Sequence, residues 1–516
     1  MFAPLRHKLA FCFLLAAALA AAPPAVAPHK PKLVLAIVID QFRYDYLTRY
    51  RAEYRGGLNR LLTKGAVFTN ANFEQAPTVT AVGHSTFLSG AFPSVSGIVA
   101  NEWFDRSSGK TVTSVSDDSV KLLGGSSEGG ASPGRMLVST VGDELKIASA
   151  GKSHVIGLSL KDRSAILPVG RMADGAFWVE ARTGNLVSST YYFPELPAWV
   201  KDLNSSKPAD KYAGLFWVGG KLPAAGEPGF YAALPATPFG NDLIELIAER
   251  AVVSEKLGKH DATDVLAVSF SSNDYVGHVF GPDSAEAHDT AVLTDKLLDK
   301  LFRFVEAQVG MQNVLVVLTA DHGAAPVPEV SIQRKIGGGR MPPTIVRDTV
   351  QAALDQQFGK ARWILSASPD SIYLDRDLIR QKKHLSAEVE RVAAEAVRTV
   401  PHVARVYTRE QLTAGGAMAD DVGRRVQNGF NTVRGADLTI VLEPYWIYGA
   451  QGTAHGTPYN YDTHVPIIFM GAGIKPGRYN KRAAPNDIAP TLATMLDVEI
   501  PSGSSGRVLD EILTER

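Results

Sequence analysis

Apolar residues in this chain fall in short unbroken runs, and several of these runs stop abruptly at polar, chemistry-bearing residues. The clearest covers residues 314–320, Val-Leu-Val-Val-Leu-Thr-Ala, and ends at Asp321-His322-Gly323. Residues 31–39 do the same and end at Asp40; residues 153–160 lead into Lys161-Asp162-Arg163; residues 264–271 lead into Ser272-Asn273-Asp274-Tyr275-Val276-Gly277-His278. A near-continuous Val/Ile/Leu run bounded by turn residues predicts a strand buried on both faces, as in a parallel sheet. Helical periodicity lies between the runs. It is expected over 43–64 (interrupted at Gly56-Gly57), 136–150, 241–257 and 285–309, the last with Val292, Leu293, Leu297, Leu298, Leu301, Phe302 and Val305 on one stripe. Alternating buried strands and amphipathic helices predict an α/β fold with a mostly parallel central sheet flanked by helices. Ligands bind such sheets at the C-terminal strand edge, where these polar residues fall.

Two stretches break the alternation. Residues 168–235 hold Trp178, Trp199 and Trp217 among many Pro and Gly. Residues 326–434, entered through Gly337-Gly338-Gly339, predict helices near 345–358 and 387–400 and strands near 363–374 and 403–407. Both are expected to be insertions that cap the sheet edge, with strands returning at 437–444 and 465–470.

Composition narrows the class. The 516 residues include 53 basic and 53 acidic ones, so nothing electrostatic favours nucleic acid or an anionic membrane surface as a partner. Arg6, His7 and Lys8 precede an Ala/Leu-rich run over 9–22, and Ala25-Val26-Ala27 follows. This is the pattern of a secretory signal peptide over residues 1–27, which implies a periplasmic or secreted protein. The run is shorter than the ~20 residues a membrane span needs. The single cysteine, Cys12, lies inside this segment, so the mature chain is expected to carry no disulfide. A monomer is the working expectation for assembly.

The polar residues suggest chemistry. In Ala76-Pro77-Thr78-Val79-Thr80-Ala81-Val82-Gly83-His84, a proline-bearing loop runs into small residues, so Thr78 or Thr80 would sit at a helix N-terminus. There, backbone N–H groups and the helix dipole favour a phosphate-like anion and an ionised hydroxyl, although a threonine in that place can also serve simply as an N-cap. His84, a turn further on, reads as structural. Asn101 could donate to an oxyanion or make a turn, and Lys161 and Arg163 could clamp one anion or end in solvent. Asp274 and His278, four apart, would share a side of a helical turn. Asp40, Asp274, Asp321, His278, His322 and His455 make three carboxylates and three imidazoles, a set that suits zinc. Six protein ligands exceed what one catalytic zinc takes, so a pair of metals is expected.

In this order the motifs resemble the alkaline phosphatase superfamily, and within it the threonine-nucleophile, PafA-type alkaline phosphatases. The resemblance runs from Asp40 to His464 and rests on Thr78-Val79-Thr80-Ala81-Val82-Gly83-His84, Asn101-Glu102-Trp103-Phe104-Asp105, Lys161-Asp162-Arg163, Asp274…His278, Asp321-His322-Gly323 and His455-Gly456 before Tyr461-Asp462-Thr463-His464. One departure is Ala100, where the family pattern has glycine. The resemblance implies Thr80 as nucleophile and two zinc ions per chain. Asp40, Asp321 and His322 would hold one, with Thr80 as its reacting ligand; Asp274, His278 and His455 would hold the other, and His464 would order the loop. Asn101, Lys161 and Arg163 would bind the transferred phosphoryl group. The implied activity is hydrolysis of small-molecule phosphate monoesters through a phospho-threonine. A phosphodiesterase or nucleotide pyrophosphatase on the same fold is the nearest alternative, and a non-catalytic exported metal- or phosphate-binding protein is the alternative from another class.

Overall fold

The computed structural model describes residues 30–126 and 129–514, so the expected signal peptide lies outside the described residues. In chain order the strands of the two main sheets are β1 (Leu33–Ile39), β2 (Ala66–Phe68), β3 (Leu122–Leu123), β4 (Val155–Ser159), β5 (Gly175–Val179), β6 (Leu186–Ser189), β7 (Asp264–Phe270), β8 (Val314–Thr319), β9 (Ile364–Ser368), β10 (Ser371–Leu374), β11 (Val403–Thr408), β12 (Leu438–Leu442), β13 (Ile467–Gly471) and β14 (Gly477–Tyr479). The helices that matter below are α1 (Thr80–Ser89), α2 (Val141–Ala148), α3 (Asp162–Ile166), α4 (Pro238–Ser254), α5 (Ser272–Phe280), α6 (Ala285–Val309), α7 (Ile345–Phe358), α8 (Ser386–Arg398) and α9 (Asn460–Thr463).

A ten-stranded sheet in the order β14-β2-β13-β8-β1-β7-β4-β5-β6-β3 forms the centre. Its middle, β8-β1-β7-β4-β5, is parallel, while β13 and β6 run antiparallel to their neighbours, so the sheet is mixed towards its edges. The fully apolar runs sit where both faces are covered. On one face Leu35, Ile37, Leu266, Val268 and Leu318 pack with Leu298, Leu301 and Phe302 of α6 and with α4. On the other, Val34, Ala36, Val38, Leu315 and Val317 pack with α1, α2 and the helix Ile488–Leu496. Register then places the chemistry: Ile39 pairs with Phe270 and Val38 with Thr319, so the next residues of β1, β7 and β8 emerge level at one edge.

The second sheet, β9-β10-β12-β11, carries α7 and α8 and has its own core around Trp363, Ile372, Leu374, Leu438, Val350, Leu354, Val389 and Val397. It is tied to the main body by buried Asp437, which accepts hydrogen bonds from Arg106, Arg376 and the Leu374 backbone N–H.

Several boundaries differ from expectation. Residues 43–64 are not one helix: only Tyr46–Arg49 and Gly57–Lys64 are helical. Asp295 of α6 explains the break, since its carboxylate accepts the backbone N–H groups of Arg55, Gly56 and Asn59 and holds that turn open. The helix expected over 136–150 begins at Val141, where Thr140 and Asp143 form a reciprocal capping box. Within 168–235, β5 continues the parallel sheet beside β4 and β6 pairs with β5, so this stretch builds part of the central sheet. Residues 438–442 pair with β10 and β11, so strand β12 belongs to the second sheet. Among the described residues no helix is long and apolar enough to cross a membrane.

Candidate active site

Strand β1 delivers Asp40, β8 delivers Asp321 and His322, and the turn after β7 opens α5, which carries Asp274 and His278. The loop before α9 carries His455. Asp40, Asp321 and His322 are 0–1 % exposed and their ligand atoms form one compact group; Asp274, His322 and His455 form a second. His322 therefore stands between the two. His278 lies on the rim, its Nε2 3.2 Å from both Asp274 Oδ1 and His455 Nε2.

The hydrogen bonds of the imidazoles settle their tautomers. His322 Nδ1 donates to the Gly323 carbonyl at 2.9 Å, His278 Nδ1 to the Thr453 carbonyl at 3.0 Å and His455 Nδ1 to the Thr78 carbonyl at 2.9 Å. In a neutral ring each Nε2 is then left with its lone pair, and all three face the carboxylates. Burial, with His322 and His278 beside it, pushes His455 well below the usual histidine range; burial also lowers His322 despite Asp321. Burial pushes Asp40 well above the usual carboxylate range and Asp321 adds to this, with Lys161 only partly offsetting it. Burial acts the same way on Asp274 and Asp321, but Lys161 and His278 outweigh it for the first and His322 and His84 for the second, so both stay ionised. Among the described residues, Asp40 Oδ1 and Asp321 Oδ2 are buried without a hydrogen-bond partner. Buried carboxylate oxygens are normally satisfied, and an oxygen and imidazole-nitrogen donor set of this kind fits divalent metal ions.

Thr80 is the first residue of α1, 1 % exposed, with Oγ1 3.5 Å from His322 Nε2. Its helix approaches the metal-type cluster because Gly83 has no side chain: a Cβ there would lie 2.2 Å from the Asp321 carbonyl oxygen. His84, on the same face, bridges the Thr80 carbonyl at 2.9 Å and Ser269 Oγ at 2.8 Å, and its ring lies 3.2 Å from Asp321 Oδ2. Asn101 Oδ1 accepts the Ala81 N–H at 2.8 Å, which leaves Nδ2 as a donor beside the helix N-terminus.

Lys161 reaches into the same cluster. Its buried Nζ lies 2.6 Å from Asp40 Oδ2 and 2.6 Å from Asp274 Oδ2. Burial works against the ammonium, but these two carboxylates outweigh it and keep it protonated. Arg163, on α3, has a buried Nε that finds no hydrogen-bond partner among the described residues, and its guanidinium lies 3.8 Å from the Asp162 carboxylate. His464 stacks on Tyr44 at 4.3 Å and contacts the Thr69 carbonyl, away from both groups.

The comparisons decide the family. The chain matches the type I phosphodiesterase / nucleotide pyrophosphatase family over residues 34–464. It is 37 % identical to alkaline phosphatase PhoV of Synechococcus elongatus, over 95 % of each chain. It is 35 % identical to alkaline phosphatase PafA of Elizabethkingia meningoseptica, over 94 % of this chain and 95 % of that one. The crystal structure of wild-type alkaline phosphatase PafA superposes with a TM-score of 0.88 at 34 % identity, covering 95 % of this chain and 100 % of that one.

The chain belongs to this family, within the alkaline phosphatase superfamily.

Two residues at the site of this superfamily hydrolase, Gln41 and Tyr275, were not visible as such in its sequence. Gln41 donates through Nε2 to Asp274 Oδ1 at 2.6 Å and through its backbone N–H to Asp321 Oδ1 at 3.0 Å, orienting a carboxylate in each group. Its backbone is left-handed (φ 59°), and Gly277 makes room, since a Cβ there would lie 1.9 Å from Gln41 Oε1. Tyr275 lies under the Lys161 ammonium at 5.0 Å. A glutamine after a ligand aspartate has no spacing signature, and a tyrosine next to Asp274 reads as an ordinary core residue.

Proposed function

We propose that the chain is an exported alkaline phosphatase that hydrolyses phosphate monoesters at a two-zinc site, with Thr80 as nucleophile and a phospho-threonine between the half-reactions. The observation that carries this reading is the placement of the Thr80 hydroxyl, buried at a helix N-terminus 3.5 Å from Nε2 of His322, which itself groups with the Asp40 and Asp321 carboxylates. Named alkaline phosphatases aligned over nearly the whole chain support it.

Asp40, Asp321 and His322 would hold one zinc, and Asp274, His278 and His455 the other. Bound there, such a pair supplies the positive charge that acidifies a hydroxyl and neutralises a leaving oxygen. The Thr80 oxygen gives up its proton and attacks phosphorus; the Thr80 O–P bond forms as the bond to the leaving oxygen breaks, and that oxygen takes a proton. Water then attacks the phospho-threonine, releasing phosphate and restoring the hydroxyl. Asn101 Nδ2, the Arg163 guanidinium and the N-terminal dipole of α1 meet the phosphoryl oxygens, while Lys161 fixes a charge in the floor of the site. His84 and Gln41 keep Thr80, Asp274 and Asp321 in place.

A monoester dianion has one more charged oxygen than a diester, and the cations Lys161 and Arg163 favour it over the diester alternative. The Lys161→Ala/Arg163→Ala double variant should lose monoester turnover by about 10²-fold or more, on the scale of a lost transition-state donor, and diester turnover far less. Arg163→Ala alone, which touches neither carboxylate group, should show the same bias. Equal losses on both substrates in side-by-side kinetics would contradict the assignment.

A further inference from the structure

Asp462 is 0 % exposed, and no step above uses it. Its Oδ2 accepts both the backbone N–H of Thr457 at 2.8 Å and the Thr457 hydroxyl at 2.7 Å. Its Oδ1 has no hydrogen-bond partner among the described residues. A buried carboxylate satisfied on one oxygen alone is costly, and a loop needing only packing would be served by a smaller or neutral residue.

The contacts of this pair reach three segments of the site. The Thr457 carbonyl accepts the Thr78 hydroxyl at 2.8 Å, and the Thr78 carbonyl in turn accepts His455 Nδ1 at 2.9 Å. Thr78 lies two residues before Thr80. On the other side, the Asp462 carbonyl accepts the Gly323 N–H at 2.7 Å and the Tyr461 carbonyl accepts the Ala324 N–H at 3.0 Å. Gly323 directly follows His322, and a Cβ on it would lie 2.1 Å from the Tyr461 carbonyl oxygen, so the two loops touch backbone to backbone. Arg43, whose guanidinium donates to the Ala324 carbonyl at 3.2 Å, closes the same junction from the β1 side.

We propose that Asp462 and Thr457 are a positioning pair, which fixes the loop of His455 against the nucleophile loop and against the turn after His322. His455 Nε2, His322 Nε2 and Thr80 Oγ1 hang from three separate segments, and this pair is a junction that reaches all three, beside the direct Ala325 N–H to Ala454 carbonyl bond at 3.1 Å. The inference rests on the two-metal phosphatase reading for its catalytic consequence, but not for its metal-holding consequence.

The test uses the zinc-loaded full chain and compares Thr457→Val, Thr457→Ser and Asp462→Ala with wild type. Thr457→Val keeps shape but deletes the hydroxyl donor; Thr457→Ser restores it. Thr457→Val and Asp462→Ala should lower kcat by about 10–100-fold, the usual scale for residues that orient metal ligands, with KM nearly unchanged. Zinc loss to a chelator, read by metal analysis without substrate, should speed up by a similar factor. Thr457→Ser should recover both. Wild-type kcat and zinc retention in folded Thr457→Val, or a Thr457→Ser that falls as far as Thr457→Val, would overturn the proposal. If Asp462→Ala fails to fold, the Thr457 pair decides. If the wild type hydrolyses no phosphate ester, the proposed function fails, while zinc retention still judges the positioning pair.

Discussion

Gly83 sets how closely the nucleophile helix can approach Asp321. An added methyl would press on the Asp321 carbonyl and Cβ, at 2.2 and 2.5 Å, and both belong to rigid, fully buried structure. The helix rather than the strand must then yield, moving Thr80 away from His322. Because misplacement of a reacting group by about 1 Å can cost ~10²-fold in rate, Gly83→Ala should lower kcat by roughly that factor while circular dichroism stays native-like; an unchanged kcat would mean that Thr80 is not the reacting group. At this scale the ligand-type residues could be read because they follow strand ends or sit four apart: Asp40, Asp274, Asp321, His322 and His278 all converge. Lys161 could be located but not oriented, because the pull of Asp40 and Asp274 on its ammonium depends on neighbours more than a hundred residues away.

Between elements, one titrating group offers a test of packing. Glu245 on α4 faces Lys300 on α6, with Nζ 2.5 Å from Oε2, and Glu249 lies beside the same ammonium. Burial pushes the Glu245 carboxyl up to about 8, from an ordinary 4.5, and Lys300 does not offset it. The folded chain therefore keeps this proton when the unfolded chain has lost it, so its contribution is fully present below about pH 4.5 and is lost as pH rises to about 8. Glu245→Gln should flatten the decline in stability between these limits, which denaturant midpoints measured at pH 5 and pH 9 would reveal; parallel declines would contradict it. Four strands of the parallel centre, β1, β4, β7 and β8, were readable from their apolar runs. The helix over 43–64 was not, because Asp295, some 240 residues away, opens its turn, and the start of α2 depended on a local capping box that periodicity does not register.

For the whole molecule, the fold class was foreseeable from the alternation of strands and helices; the second sheet with its own core was not, since it combines strands of the expected insertion with residues 438–442. Membership of β5 and β12 in their sheets was not, because pairing partners leave no trace in a strand's own residues. The chain holds three carboxylates within one buried region against a single buried ammonium, so its stability should depend on bound cations. Chelation should abolish phosphatase activity and lower the melting temperature, since a ligand at ~100 times its Kd contributes about 2.7 kcal/mol to the folded state. Reducing agents should change neither, because the lone cysteine lies at residue 12, in the expected signal peptide.

The most direct test is to mix zinc-loaded enzyme with a phosphate monoester, quench in acid within the first turnovers and map the phosphorylated peptide. Phosphate should be found on the peptide that carries Thr80, and none should be trapped in Thr80→Ala. Rapid turnover with no phosphopeptide, or phosphate on another residue, would contradict the assignment of Thr80 as nucleophile.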